Sequence, residues 1–237
     1  MAIAENLADI RRRVAGAARR AGRPPSDVTL IAVSKTFGVE AVREAWAAGQ
    51  RDFGENKVQE ALQKIEATAD IEIRWHLIGH LQSNKARKAA RAFQSIHSID
   101  SVDLIRRLDA DAAAADSPAR PEVLVQVDLA GESTKFGAPE SEAIRCVHAA
   151  LEAKQLALRG LMLLPPWNED QEATRPWFRR LRDLRDRLVS DGVPAAALRD
   201  LSMGMSHDFE AAIEEGATII RVGTAIFGKR TYASTET

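Results

Sequence analysis

Eight short runs of aliphatic and β-branched residues alternate with helical patterns along this chain, and that alternation restricts its fold more than any other feature. The runs are "VTLIAVS" (28–34), "RDFGE" (51–55), "IRWHLIG" (73–79), "SIHSI" (95–99), "EVLVQVDL" (122–129), "LRGLML" (158–163), "DLSMG" (200–204) and "TIIRVG" (218–223). Strands this continuously apolar, separated by helices, specify a parallel sheet covered on its outer face. Eight such units in 237 residues predict an α/β fold, a single closed (β/α)8 barrel of the TIM type with an additional N-terminal helix. An open doubly wound sheet is the alternative, and no G-x-G-x-x-G follows the first strand to support it. One domain over 1–237 is expected, with 1–27 supplying the first helix and a linker and 231–237 a flexible tail. The connection "DAAAADSPARP" is not a domain boundary on this reading, because a cut there divides the strand count.

The helical patterns include "VEAVREAWAAG", "SVDLIRRLDADAAA" and "EATRPWFRRLRDLRDRLVSDG". In the last, Trp177, Leu181, Leu184 and Leu188 fall 4, 3 and 4 apart, the spacing of one helix face. Gly49 and Gly192 stand where C-terminal caps are expected.

Composition removes several classes of function. A formal net charge of −1 gives no long-range attraction to nucleic acid or to an acidic membrane, and no apolar run approaches the roughly 18 residues of a membrane span. The basic stretch "NKARKAARA" lacks interleaved aromatics for stacking bases and reads as a helix face beside the site. The Arg-rich start carries Glu5 and Asp9, which a transit peptide avoids, so it reads as an ordinary helix in a cytoplasmic protein. One cysteine, Cys146, excludes an internal disulfide and a multi-cysteine metal site; within "SEAIRCVHAAL" it reads as a partly buried structural thiol. His76, His80, His97, His148 and His207 have no metal-ligand spacing, and no G-x-S-x-G marks a serine hydrolase.

The C-terminal ends of the strands form the active face of such a barrel, so the polar residues there belong together. The first strand ends in Ser34-Lys35-Thr36. The chain has eight lysines against 25 arginines, and an amine, unlike a guanidinium, becomes a nucleophile toward aldehydes when burial lowers its pKa. A surface lysine at a strand end is the plainer account of Lys35. Ser206, ahead of the short helix "DFEAAIEEG", and Gly223-Thr224 follow the last two barrel strands, where this fold usually holds phosphate; each alone also suits a tight turn. Arg221 inside an apolar strand is costly unless it contacts a ligand or an ion-pair partner. Asp128, Glu132 and Glu55 are weaker acid–base candidates.

Seven ordered blocks are identifiable: "AVSKT", "FGENKVQEAL", "WHLIGHLQSNKAR", "SIDSVDL", "VQVDLAGESTKFG", "RGLM" and "LSMGMSHDFEAAIEEGATIIRVGTAIFG". They closely resemble the pyridoxal phosphate homeostasis protein family, whose barrel is similar to the N-terminal domain of alanine racemase, a fold-type III pyridoxal phosphate (PLP) enzyme. The resemblance implies covalent PLP on Lys35 as a Schiff base, phosphate contacts from Ser206, Gly223 and Thr224, and Arg221 facing the pyridine nitrogen. It also implies Asn56 near the cofactor and a secondary role in PLP transfer for Lys135. The loop "LLPPWNEDQEATRP" and His80 depart from the family pattern at positions that vary in type.

The resemblance further implies a carrier that buffers, protects or delivers PLP, with apo-enzymes as recipients. An arginine at the pyridine nitrogen weakens PLP as an electron sink. The only tyrosine, Tyr232, lies in the tail, so the two opposed bases of a racemase are not expected, and neither is a dimer. A slow amino-acid racemase or decarboxylase is the competing reading, and a regulator whose protein partner senses PLP occupancy is a third.

Overall fold

The computed structural model describes residues 2–114, 120–131 and 136–228. Helix α1 (Ile3–Arg20) comes first, followed by strand β1 (Thr29–Val33), α2 (Val39–Ala47), β2 (Asp52–Glu55), α3 (Val58–Ala67) and β3 (Arg74–Leu77). Then come α4 (Ala86–Ala92), β4 (Ser95–Ile99), α5 (Val102–Ala113), β5 (Glu122–Asp128), the two-residue β6 (Ala138–Pro139) and α6 (Glu140–Glu152). The order finishes with β7 (Ala157–Leu163), α7 (Arg175–Ser190), β8 (Asp200–Met205), α8 (Phe209–Glu214), β9 (Ile219–Val222) and α9 (Thr224–Phe227).

All strand pairings are parallel. The order β4-β3-β2-β1-β9-β8-β7-β5 closes on itself through β4–β5, so eight strands make a barrel and β6 hangs on the edge of β5. The first and last strands meet in register, with Thr29 opposite Ile219 and Ile31 opposite Arg221. All eight runs read from the sequence are strands of this barrel. The short β6 is an addition, since two residues leave no alternation to detect.

Alternation along the strands divides the molecule into two unequal interiors. One set of side chains, such as Ala32, Phe53, Trp75, Leu77, Leu201 and Val222, packs outward against the helices in the main hydrophobic core. The other set points into the barrel, where Ile31, Leu124, Met162 and Ile219 form a separate cluster of only four buried apolar residues. His76, His97, Ser202 and Arg221, all buried, fill much of the remaining interior. Helix α1 lies along the seam between the ends of the barrel. It buries Leu7, Ile10, Val14, Ala17 and Ala18, and it is tied to the last units by Asn6 Nδ2 donating to Ile226 O (2.8 Å) and by the Arg13–Glu210 ion pair (2.9 Å).

The caps fall where the glycines predict. Gly49 and Gly192 take φ of +86° and +102°, and the residue after each donates back five positions, Gln50 N to Ala45 O and Val193 N to Leu188 O. The buried face of α7 differs by one residue from the sequence reading. Phe178 joins Leu181, Leu184 and Leu188 inside, while Trp177 is only partly buried and carries the Arg180 guanidinium 5.0 Å over its ring. A large ring at a face boundary can serve on either side of it. Cys146 on α6 is fully buried, not partly, and burial pushes its thiol up to about 12. The expected tail at 231–237 lies outside the described residues.

Candidate functional site

The strand β1 ends at Val33, and Ser34 to Phe37 turn away from the barrel with Phe37 N donating to Ser34 O (3.0 Å). Thr36, third in that turn, sits at φ +71°, where a β-branched residue is strained. The turn is held from below by a buried polar group between the sheet and α3. Lys64 Nζ donates to Ser34 O (2.8 Å), to Glu55 Oε1 (2.7 Å) and to Glu60 Oε1 (3.1 Å). Ser34 Oγ donates to Glu55 Oε1 (2.6 Å), and Thr36 N donates to Glu60 Oε1 (2.8 Å). Burial raises the Glu55 carboxyl above its ordinary value, against the pull of Lys64 and Ser34. Glu60 is also raised by burial but ends below its ordinary value, because the Thr36 N–H and Lys64 outweigh it. Lys35 is thereby carried, half-buried, on a turn whose backbone is fixed on both sides.

Lys35 lines a cavity of about 290 Å³ at the C-terminal mouth of the barrel, and so do Asn56, Ser206, Arg221, Gly223 and Thr224. All six residues singled out in the sequence as one site are therefore brought together. The seventh, Lys135, lies outside the described residues, as does Glu132. Asn56 follows β2, and it also borders a second, adjoining hollow of about 610 Å³ lined by Lys57, His80, Lys85 and Gln126.

The Ser206 hydroxyl does not cap the helix that follows it; it accepts from Gly223 N (3.1 Å) and Ala225 N (3.4 Å), at the start of α9. The loop before α8 is pinned by its own cap, Asp208 Oδ1 accepting from Met205 N (2.7 Å). A hydroxyl and two backbone N–H groups thus converge at one side of the cavity. Gly223 packs closely against the end of β1, where a Cβ would stand 3.3 Å from Val33 O.

Arg221 closes the floor. Its partners are neutral, not the acid of a structural ion pair: Nη1 donates to Ser202 Oγ (2.6 Å) and Nη2 to Leu163 O (2.9 Å). Burial brings the guanidinium down to about 10, still cationic at neutral pH. Below it, Ser202 Oγ lies 2.9 Å from His97 Nδ1, His97 Nε2 lies 3.1 Å from His76 Nδ1, and His76 Nε2 lies 3.0 Å from Asp52 Oδ1. Burial, with His76 and Arg221 adding to it, holds His97 well below the ordinary imidazole value of 6.5. The unfolded chain therefore takes up this proton before the folded one does, so the stability His97 contributes is complete above about pH 6.5 and lost as pH falls. The unfolding free energy measured in urea is expected to drop between pH 7.5 and 5 by up to about 1.4 kcal/mol per pH unit from this residue, and His97→Gln to flatten the slope. An equal slope in the variant contradicts the assignment.

Other candidates settle into structural roles. Asp128 Oδ1 accepts from Ala130 N and Gly131 N in a turn, and Glu55 belongs to the Lys64 group. The rest of the cavity wall is Val33, Ile78 and Leu164 with Trp167, Met205 and His207, none of which the sequence singles out for the site. Met205 and His207 sit in "SMGMSHD", a segment already assigned to the site, whereas nothing local in the loop after β7 marks Trp167.

The family model for the alanine racemase N-terminal domain matches residues 5–231. A pyridoxal phosphate homeostasis protein from Pseudomonas aeruginosa is 45% identical, covering 98% of this chain and 97% of that protein. One from Aquifex aeolicus is 41% identical, covering 96% and 98%. The chain belongs to the pyridoxal phosphate homeostasis protein family. Among solved structures, PipY of Synechococcus elongatus with PLP bound is 42% identical at a TM-score of 0.83, covering 95% of this chain and all of that one. Alanine racemase of Clostridium difficile, at 13% identity and a TM-score of 0.72, covers 98% of this chain and 57% of its own, and shares the fold alone.

Proposed function

We propose that this protein binds pyridoxal 5′-phosphate, carries it covalently through a Schiff base on Lys35, and serves intracellular PLP homeostasis by buffering, protecting or delivering the cofactor. The observation that carries this reading is the convergence on one cavity of the six residues named from the sequence, with an amine, hydroxyl donors and a buried guanidinium among them. The donor set suits the ligand. The Ser206 hydroxyl, whose oxygen accepts from the Gly223 and Ala225 N–H groups, keeps its own hydrogen for a phosphate, and Thr224 adds a second hydroxyl beside it. PLP supplies an aldehyde and an electron-withdrawing ring. Lys35 would meet the first as a nucleophile, and Arg221, a cation that donates and does not accept, would leave the ring nitrogen without a proton. That arrangement favours holding the cofactor over stabilising carbanions, in keeping with the PLP complex of PipY and the names of the curated relatives. We take the working form to be a cytoplasmic monomer that passes PLP to apo-enzymes. No described helix is long and apolar enough to cross a membrane.

The test is the visible absorption spectrum of the protein mixed with PLP, followed by borohydride reduction and peptide mass mapping. Reduction is expected to fix the cofactor mass on the Lys35 peptide, and Lys35→Ala to lose both band and adduct while keeping the fold. An adduct on another lysine, or none, overturns the reading. Turnover of amino acids by the loaded wild type, abolished in Lys35→Ala, assigns the protein instead to a racemase or decarboxylase.

A further inference from the structure

The polar groups inside the barrel form one continuous line from the cavity floor to the opposite mouth: Arg221, Ser202, His97, His76, Asp52 and, at the far end, Arg74. Arg74 grips Asp52 through two bonds, Nε to Oδ1 (2.8 Å) and Nη2 to Oδ2 (2.6 Å), and Asp52 is held below its ordinary value, burial being outweighed by His76 and Arg74. The far mouth is a small polar hollow of about 140 Å³. Its walls carry Asp52 and Arg74, with Glu122, Arg199 and Asp200 opposite; Glu122 is paired in turn with Arg159 (2.8 Å), and Arg199 with Asp200 (3.1 Å). These and His97 are the titratable and charged groups that face His76 from β2, β3, β4, β5, β7 and β8.

The ends of this line fix the direction of every bond within it. An ionised carboxylate only accepts, so His76 Nε2 must carry a proton toward Asp52. If His76 is neutral, its Nδ1 is bare and accepts from His97 Nε2–H. His97 Nδ1 is then bare and accepts from the Ser202 hydroxyl, whose oxygen accepts from Arg221. All the donors point away from the cavity. One added proton on His76 reverses the upper half: Nδ1–H now donates to His97 Nε2, His97 carries its own proton on Nδ1, and Ser202 Oγ accepts from His97 and Arg221 together while its hydrogen turns aside. No intermediate arrangement satisfies both imidazoles, because His97 in its neutral form has one proton for two ring nitrogens.

We propose that Ser202, His97, His76 and Asp52 are positioning residues for Arg221, forming a two-state relay that carries the protonation of His76 at the far mouth to the guanidinium beneath the cofactor cavity. The relay rests on the PLP reading only in its last step, the effect on a bound ring. With His76 neutral, the Ser202 oxygen serves Arg221 as a fully available acceptor. With His76 protonated, that oxygen is shared with a second donor from a cationic pair, and Arg221 is held less firmly against the ring nitrogen it faces.

Two measurements test the two parts separately. In the protein without PLP, two-bond ¹H–¹⁵N spectra of ¹⁵N-histidine-labelled protein report which ring nitrogen carries each proton. At high pH both His76 and His97 are expected in the Nε2–H form. As His76 becomes doubly protonated, His97 is expected to change to Nδ1–H with the same midpoint. A His97 tautomer that stays constant through the His76 titration, or Nδ1–H on His97 at high pH, overturns the relay whether or not PLP binds. In the PLP-loaded protein, the visible band is expected to shift with that midpoint, and Ser202→Ala to abolish the shift while leaving the Lys35 adduct in place. His97→Gln, which can accept from Ser202 and donate to His76, is expected to keep the band of the neutral state, whereas His97→Leu is not. A band that ignores the tautomer change in the wild type overturns the coupling to Arg221. Failure of the wild type to take up PLP overturns the cofactor reading and leaves the relay to the first measurement, which needs no variant to fold.

Discussion

Lys64→Met is expected to cost about 3–5 kcal/mol of folding stability at pH 7.5, the largest effect of any single side-chain removal foreseen here. Lys64 is almost wholly buried, and its ammonium is the cationic partner of Glu55, which is completely buried. Removing it strands a carboxylate whose second oxygen, Oε2, already lacks a partner. Glu55 answers by taking a proton, so the penalty depends on pH. Its folded value is raised, the unfolded chain ionises first, and stability is lost as pH climbs through the carboxylate range. The cost of Lys64→Met is therefore expected to shrink toward pH 4.5, and Lys64→Met combined with Glu55→Gln to recover much of it. Urea unfolding at both pH values decides the matter. A loss under about 1 kcal/mol at pH 7.5 means the pair behaves like an exposed one. Because Ser34 O and Thr36 N hang on the same group, the variant is also expected to loosen the turn that presents Lys35.

Gly79→Ala comes next in size and acts on the site directly. A Cβ on Gly79 falls 2.3 Å from Asn56 O and 2.7 Å from Asn56 Cα, contacts with backbone that no rotamer change relieves. Either β2 and its following loop shift, or the chain after β3 does. A cost of about 1–3 kcal/mol follows from overpacking alone. If Asn56 retreats and one hydrogen bond to the ligand is lost, affinity for PLP falls about tenfold, the equivalent of about 1.4 kcal/mol. Gly22→Ala is the control. Gly22 has φ +67° and nothing within 4 Å of the added carbon, so only backbone strain applies and PLP affinity is expected to stay unchanged. Equal behaviour of the two variants in urea unfolding and PLP titration rules out the steric argument.

The sequence disclosed the barrel because its signal is repetitive. Each strand is a separate apolar run bounded by turn residues, so an error of one or two residues at an end leaves the count and the topology intact. The cavity residues were legible for a related reason: they follow the strands in a fold whose chemistry gathers at one end. What escaped depended on distance in space. Nothing near Glu55 in the chain indicates that Lys64, a loop and nearly two helix turns away, will pair with it. The histidines show no metal-ligand spacing along the chain, yet His76 and His97 lie on adjacent strands whose alternation turns both inward. Inside an apolar strand, Arg221 calls for a ligand or an acid. Its actual partners are a serine hydroxyl and a main-chain carbonyl, which only the closed barrel brings within reach. Trp177 and Phe178 show the limit of periodicity, which locates a face but not the residue at its margin.

The seam between β1 and β9 runs under the cavity, with Lys35 continuing from one strand and Gly223 from the other. A ligand gripped by both works as a clasp on the only junction that joins the first strand to the last. Its binding energy then adds to the strand pairing that holds this junction, and an occupied molecule is expected to resist unfolding more than an unliganded one. A protein entrusted with a reactive aldehyde would thereby keep itself shut for as long as it has something to keep.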